Sequence, residues 1–423
     1  MSTTPFNRTA TRGRTSATLR LPLTFLCVSL FFEYLRIHEM IPILGKLKIQ
    51  TAFLALFIFV VVRQAREAKV RLARQSRLFL GFLGLAFITF PLATNWFYAF
   101  DFARLIALTL VGHFAIVSIL RSQQDLRTFL VWLIGIHIYL AARKGGGGYF
   151  LGDENDFSLA LNIALPLAIY LFRQARKPWS RVCWGLGVAA ILQAIVFSFS
   201  RGGFLGLASM GVYWAVTSRK KGEAITTLVL AAILVVAVAS PEYWEEIETI
   251  ASTEEGTAQL RRDYWAAARR MFATSPIWGV GGNNFGVLFP EYALEFPEEY
   301  RPNQWGRATH SLYYQLLAEF GLLGISLIGA VLVLNFRDLR QIRALGRKGR
   351  CSSSIEQLAE CLRLSWVGLL VSGTFISVLG YPHLYYLTAL TLVVHRLALE
   401  ESLAPKPEPV AAMRSAIWRR STT

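Results

Sequence analysis

The sequence predicts an all-α integral membrane protein of about twelve transmembrane helices, and three observations carry that prediction. The 423-residue chain is 54% hydrophobic, with a mean hydropathy of +0.42. Its apolar residues fall in repeated continuous runs close to the ~20 residues that a helix needs to cross a bilayer. One long polar stretch, 241–309, interrupts the series late in the chain. Backbone polar groups in lipid must be paired within helices or closed barrels, and runs this long and continuous point to helices.

The first 20 residues, rich in Thr and Arg, are expected to be a disordered basic N-terminus. Apolar runs then follow at about 21–36, 47–62, 77–94, 99–120, 126–142, 157–172, 182–199, 202–217 and 225–240, giving transmembrane helices 1–9 over 21–240. The polar lobe 241–309 comes next. Runs at about 311–335, 361–379 and 382–399 complete helices 10–12 over 310–399, with a basic loop at 336–363 between them. The tail 400–423 is Pro-rich, then basic, and reads as disordered or surface-bound. No small-residue cleavage site follows the first apolar run, so no cleavable signal peptide is expected.

A net charge of +17 in a soluble protein would suggest nucleic acid. Here it has a topological explanation, and no nucleic-acid partner is expected. If the N-terminus is cytoplasmic and the spans alternate, most of the 44 Lys and Arg fall in cytoplasmic segments, such as RQAREAKVRLARQSR (63–77) and RQARKPWSR (173–181). The positive-inside rule requires this distribution. The same alternation puts both termini in the cytoplasm. It brings the turn SFSRGG (198–203), the loop 142–157, the lobe and His310 to one extracytoplasmic face. The four cysteines form no disulfide framework, and the lobe has none. The glycine run 145–148 lacks the GxxxxGK[ST] spacing and is expected to be a flexible loop.

Within the lobe, Leu260, Tyr264, Ala267, Ala268 and Met271 recur along one side of TAQLRRDYWAAARRMFATSP. That spacing predicts an amphipathic helix lying on the membrane or against the bundle, ended by Pro276. IWGVGGNNFG then reads as a tight Gly/Asn turn.

A few residues stand out chemically. Arg201, between Ser200 and the pair Gly202-Gly203, sits at the N-terminus of a span. Free N–H groups, the helix dipole and a guanidinium fork suit an anion such as phosphate there. The alternative is an interfacial arginine that snorkels or pairs with an acid. Arg261 and Arg262 begin the lobe helix and add positive charge, or else belong to a solvated face paired with Glu254, Glu255 or Asp263. His310 heads the next span, where the dipole favours the neutral imidazole that can take a proton from a hydroxyl. It is otherwise a capping residue. Asp153, Glu154 and Asp156 are either a divalent-metal site or solvated loop acids. Asp101 and Arg104 are spaced to pair one turn apart. Gly202, Gly203, Gly206, Gly321 and Gly324 suit close helix packing.

Taken together, SRGGFLG, RRDYW, PIWGVGGNNF and THSLYYQLLAEFGLLG, in this order over 198–335, resemble the O-antigen ligase and polymerase superfamily of bacterial membrane glycan ligases. GDENDFSLALNIALP (152–166) is similar to a segment common there. The resemblance implies a GT-C-type fold and a metal-independent inverting glycosyltransferase without a cofactor. It implies an undecaprenyl-pyrophosphate-linked glycan donor, an acceptor that is lipid A–core, protein or another lipid-linked glycan, and a site on the periplasmic face of the inner membrane. Carried over by motif, Arg201 matches the arginine of SRGG, Arg261 the loop arginine four residues before a tryptophan (here Trp265), and His310 the histidine entering the span. Ser311 departs from the asparagine often found there. The resemblance assigns catalysis to His310, Arg201 and Arg261. It assigns pyrophosphate binding to Ser200, Arg201, Gly202, Gly203, Arg261 and Arg262. A polymerase of the same superfamily is the close alternative. A transporter or flippase is the distant one, because transporters gather their polar groups near the bilayer midplane.

Overall fold

The computed structural model describes residues 17–36, 43, 49–67, 72–143, 151–218 and 256–404, with a few positions between 221 and 233. The expected run 225–240, the glycine run 145–148, the start of the polar stretch and the tail beyond 404 lie largely or wholly outside the described residues. So do Glu254 and Glu255.

The other expected runs are helical over most of their length. They form α1 (Ala17–Leu30, continued by a π-helical turn Phe31–Leu35), α2 (Ile49–Glu67), α3 (Arg74–Thr89), α4 (Trp96–Ile119), α5 (Gln123–Ala142), α6 (Glu154–Gln174), α7 (Pro178–Val196) and α8 (Arg201–Thr217). The lobe contributes α9 (Gly256–Thr274) and the short α10 (Phe285–Tyr292). Then come α11 (Leu312–Arg347), α12 (Ser353–Ser372) and α13 (Pro382–Leu403). By length and composition, 6 of the described helices can cross a membrane: α3 with its short extension to Leu92, α4, α5, α6, α7 and α11. The expectation of about twelve spans is thus supported at half its positions.

α6 is the most enclosed of these six helices, with 83% of its apolar window buried, and it packs against α7, α8 and α12. Small residues make this contact close. A Cβ on Gly203 would come within 2.5 Å of the Ser158 hydroxyl, and one on Gly206 would collide with Ser372. The backbone exposed by these glycines is used. Asn162 Nδ2 donates to the Gly203 carbonyl (2.9 Å) and to Ser372 Oγ (3.3 Å), while Ser372 donates to the Gly202 carbonyl (3.2 Å). In apolar surroundings this polar knot fixes the first turn of α8 against α6 and α12.

The two ends of the bundle differ. At one end the basic loops meet: Ser352 N–H donates to Glu401 (2.6 Å), Gln174 to Gln357 (3.2 Å), and Arg343 to the Thr217 carbonyl (3.0 Å). The opposite end carries the lobe, the N-termini of α6, α8 and α11, and the connection between α3 and α4.

The lobe is joined to the bundle through a break in α11. Gly321 has φ 56° and ψ −153°, a backbone region essentially closed to residues with a side chain. The break frees backbone groups on both sides, and the turn after α9 satisfies them. Val280 and Gly281 N–H donate to the carbonyls of Ala318 (2.9 Å) and Glu319 (3.0 Å). In return, Leu322 and Leu323 N–H donate to those of Pro276 (2.8 Å) and Ile277 (3.1 Å). Gly279 and Gly281, with φ of 71° and 94°, shape the inserted turn. The expected Gly/Asn turn is therefore present, and its partner is a transmembrane helix. Gly321, read from sequence as a packing glycine, is the hinge point of that helix. Two further ties hold the lobe. Glu319 accepts from Phe285 N–H at the start of α10 (3.3 Å). The buried Asn284 side chain exchanges two hydrogen bonds with the backbone of Asn95 between α3 and α4 (2.8 and 3.1 Å).

Gly321→Ala should destabilise the protein by ~2–5 kcal/mol, from the forbidden conformation together with overpacking. The added Cβ would lie 2.6 Å from the Pro276 carbonyl oxygen. Gly329→Ala in the same helix meets nothing within 4 Å and should leave stability unchanged or raise it. Thermal unfolding of both variants in detergent checks the contrast.

Candidate active site

Arg201 is the first residue of α8. Ser200 caps the helix, its Oγ accepting from Gly203 N–H at 3.0 Å, and the preceding Phe199 turns the chain with φ 52°. The Ser200 hydroxyl also donates to Asn155 Oδ1 (2.8 Å). Asn155 donates from its backbone N–H (2.7 Å) and its side-chain amide (3.0 Å) to Asp153, the N-cap of α6. Two helix N-termini are thus linked side by side, both contributing positive potential. Gly202 and Gly203, which the resemblance assigns to pyrophosphate binding, lie in the first turn of α8. Their side-chain faces meet Phe375 at Gly202 and Ser158 at Gly203, and the Gly203 N–H is taken by Ser200.

Arg261 comes from α9. The predicted amphipathic face is buried: Tyr264, Ala267, Ala268 and Met271 pack on Phe285, Leu288 and Phe289 of α10 and on Ala318 of α11. The helix therefore lies on its own lobe and the head of α11. That packing turns Arg261 towards the bundle, with its guanidinium over the Phe375 ring at 5.9 Å. Burial holds its pKa below the ordinary arginine value. The charge of Arg201 acts in the same direction, while Asp153 and Glu154 oppose it. Arg262, about 100° further round the helix, is exposed and forks onto Gln259 Oε1 (3.1 and 2.7 Å).

His310 has φ 45°, an uncommon conformation for a residue with a side chain. Its neighbours enforce it. The Thr309 hydroxyl donates to the Ser311 carbonyl (3.0 Å) and hydrogen-bonds Ser377 (2.8 Å), and the Thr309 carbonyl accepts from Trp265 Nε1 (3.1 Å). Ser311 then caps α11. Serine and asparagine are near-equivalent N-caps, so the departure from the usual asparagine keeps that role. The His310 ring stacks on Tyr264, with centroids 5.8 Å apart. Much of the residue is exposed, but the ring lies among enough protein atoms that desolvation is the largest influence on it. Desolvation lowers its pKa, Arg261 and Arg307 lower it further, and Asp153 acts the other way.

The structure therefore brings Arg201, Arg261 and His310 to one mouth and leaves Arg262 on the outside. The acidic trio is split. Asp153 caps a helix, and Asp156 accepts from Tyr381 OH at 2.8 Å. Among the described residues no group of three His, Cys, Asp or Glu is arranged to hold a metal ion. Asp101 and Arg104 pair as spaced, at 2.5 Å.

Three contributors were not foreseen: Asn155, Phe375 and Tyr381. The last two lie on a non-helical segment, 373–381, that begins inside what reads as the apolar run 361–379 and continues to the next run. α12 ends at Ser372, and the chain returns along the mouth, with Leu312 N–H on the Gly373 carbonyl (2.8 Å) and Leu379 N–H on Gln315 (3.2 Å). Gly373, Gly380 and Pro382 were the available signal. A cavity of about 380 Å³ lies between this segment, the start of α4 and the lobe. Tyr98, Asp101, Trp305, Arg307, Thr309 and Tyr381 are among its lining residues.

His310 should titrate below the ordinary histidine pKa of 6.5 and be neutral at pH 7. Arg261→Gln removes a nearby positive charge, so protonation becomes easier and the titration should move to higher pH. NMR of the labelled imidazole in both proteins checks the sign. No upward movement in the variant would mean that Arg261 does not act on the ring.

The comparisons with known proteins bear on this same region. No curated protein matches the chain. The family described as O-Antigen ligase matches residues 186–329, from α7 into α11, a stretch that includes Arg201, Arg261 and His310. That match supports the resemblance to the O-antigen ligase superfamily that the motifs carry.

Proposed function

We propose that this protein is a membrane glycosyltransferase of the ligase type. It would move a glycan from a lipid diphosphate, undecaprenyl pyrophosphate, to an acceptor hydroxyl or amide at the periplasmic face of a bacterial inner membrane. The observation that carries the reading is the convergence of two guanidinium groups and one imidazole, whose pKa is lowered by its surroundings, at a single mouth. Arg201 lies close enough that its charge disfavours the charge of Arg261, which suits a site built for an anion. The family match supports a glycan-transferring enzyme. The segregation of basic loops to the far end supports an orientation with the lobe in the periplasm, both termini in the cytoplasm, and the remaining helices completing about twelve spans of GT-C type.

The chemistry is a direct displacement at the anomeric carbon, with inversion. His310 takes the proton of the acceptor hydroxyl as its oxygen forms a bond to that carbon. The bond from the carbon to the phosphate oxygen breaks, and its electron pair leaves on the diphosphate. Arg201 and Arg261 stabilise that growing charge from fixed positions, and the capped N-termini of α6 and α8 add to the field. The residues present account for each proton and each charge without a metal or cofactor.

Arg201→Ala and His310→Ala should each abolish glycan transfer, a loss of at least 10²-fold, while the protein still folds and inserts. The surface glycan of a deletion strain complemented with each variant reads this out. Long chains stalled on the lipid carrier identify a ligase, and single repeat units identify a polymerase. Normal glycan in either variant would overturn the assignment of these residues.

A further inference from the structure

We propose that the 380 Å³ cavity beside His310 is a saccharide subsite, with Tyr98 and Trp305 as its platform. The inference rests on the glycan-transfer reading above and adds to it the place where a sugar ring sits.

The cavity has the volume of a small-ligand site. The segment ending in His310 forms one wall, since Arg307, Ala308 and Thr309 all line it. A ring held there lies within a few residues of the proposed base. Two aromatic rings sit side by side in its lining, with centroids 6.1 Å apart and planes tilted by 49°: Tyr98 from the first turn of α4 and Trp305 from the lobe. Trp305 is 55% exposed and belongs to neither hydrophobic core. An indole left open at the edge of a polar cavity is better explained by a ligand than by packing. The polar groups are of mixed sign and spread over the walls. Asp101 is held in place by Arg104, and Arg307, Ser377 and Tyr381 also line the cavity.

This lining discriminates between ligands. A diphosphate would meet the carboxylates of Asp101 and Glu319 as well as Arg307 and would do better between Arg201 and Arg261. A lipid chain would leave the polar groups unpaired. A neutral sugar ring satisfies both kinds of wall, with its C–H faces on Tyr98 and Trp305 and its hydroxyls on Asp101, Arg307 and Ser377. The ring can come from the donor glycan or from the acceptor, and the chemistry is the same for both.

The test uses the full chain in nanodiscs and measures binding without transfer. Saturation-transfer NMR would be run with two lipid-free oligosaccharides: the repeat released from the host's surface polysaccharide, and the acceptor core freed of lipid. Wild type is expected to bind one of them, and its identity assigns the subsite to donor or acceptor. Trp305→Ala and Tyr98→Ala should each weaken that binding at least tenfold. Trp305→Phe, which keeps a ring, should stay within threefold of wild type. Melting temperature and affinity for a sugar-free isoprenyl diphosphate should stay near wild type in all three. If neither oligosaccharide binds wild type, or if the Tyr98→Ala/Trp305→Ala double variant binds within twofold of it, the subsite assignment is overturned. If the diphosphate fails to bind wild type while an oligosaccharide binds, the transfer reading fails and the subsite stands.

Discussion

Everything at the lobe end depends on how one break in a membrane-depth helix is satisfied. A helix interrupted at Gly321 leaves N–H and C=O groups that cannot stay unpaired in apolar surroundings, where each would cost several kcal/mol. The turn 276–281 supplies four backbone hydrogen bonds, and with them the lobe becomes part of the bundle rather than an appendage. The rest follows by geometry. The turn fixes the end of α9, the buried face of α9 fixes its rotation, and the rotation sends Arg261 towards Phe375 and Arg201. Lifting the lobe would reopen the break, so it acts as a wall and not as a lid.

A second anchoring system works from below. The glycines of α8 let its first turn approach α6 and α12 so closely that Asn162 and Ser372 reach its carbonyls. Arg201 therefore stands on a base held by hydrogen bonds to two other helices. Its cap, Ser200, is tied through Asn155 to the cap of α6. Positional precision at Arg201 comes from backbone groups and small side chains with little freedom to move, while the lobe delivers the second guanidinium independently. Two anchors that share little structure meet at one ring, Phe375.

Much of this was legible in the sequence. The apolar runs marked the helices because their length and continuity leave the backbone few alternatives. Leu260, Tyr264, Ala267, Ala268 and Met271 marked the buried face of α9 because the period of 3.6 is read directly. Ser200, Arg201 and His310 announced helix N-termini. Other features were not legible. Gly321 sits in FGLLG, where an apolar helix tolerates glycine without comment, and its conformation comes from a partner some 40 residues earlier. The return of 373–381 was hidden by its apolar composition, which resembles a span although the chain no longer runs as one. The approach of Arg201 to Arg261 is long-range and depends on both anchors. Asn155 gave no signal of its own, since an asparagine near a helix start ordinarily serves only that helix.

The proximity of Arg201 and Arg261 has one more consequence under the proposed reaction. A mouth with two fixed cations holds a diphosphate whether or not a glycan is still attached to it, because both phosphates stay with the lipid throughout. Attraction that is equal in the bound substrate and in the transition state does not speed the chemical step. The arginines accelerate the step only through the charge that gathers on the departing oxygen as its bond to carbon lengthens. What remains of their pull afterwards falls on the spent carrier. Under that reaction, the same electrostatics that ease departure from the sugar also hold the emptied lipid at the mouth.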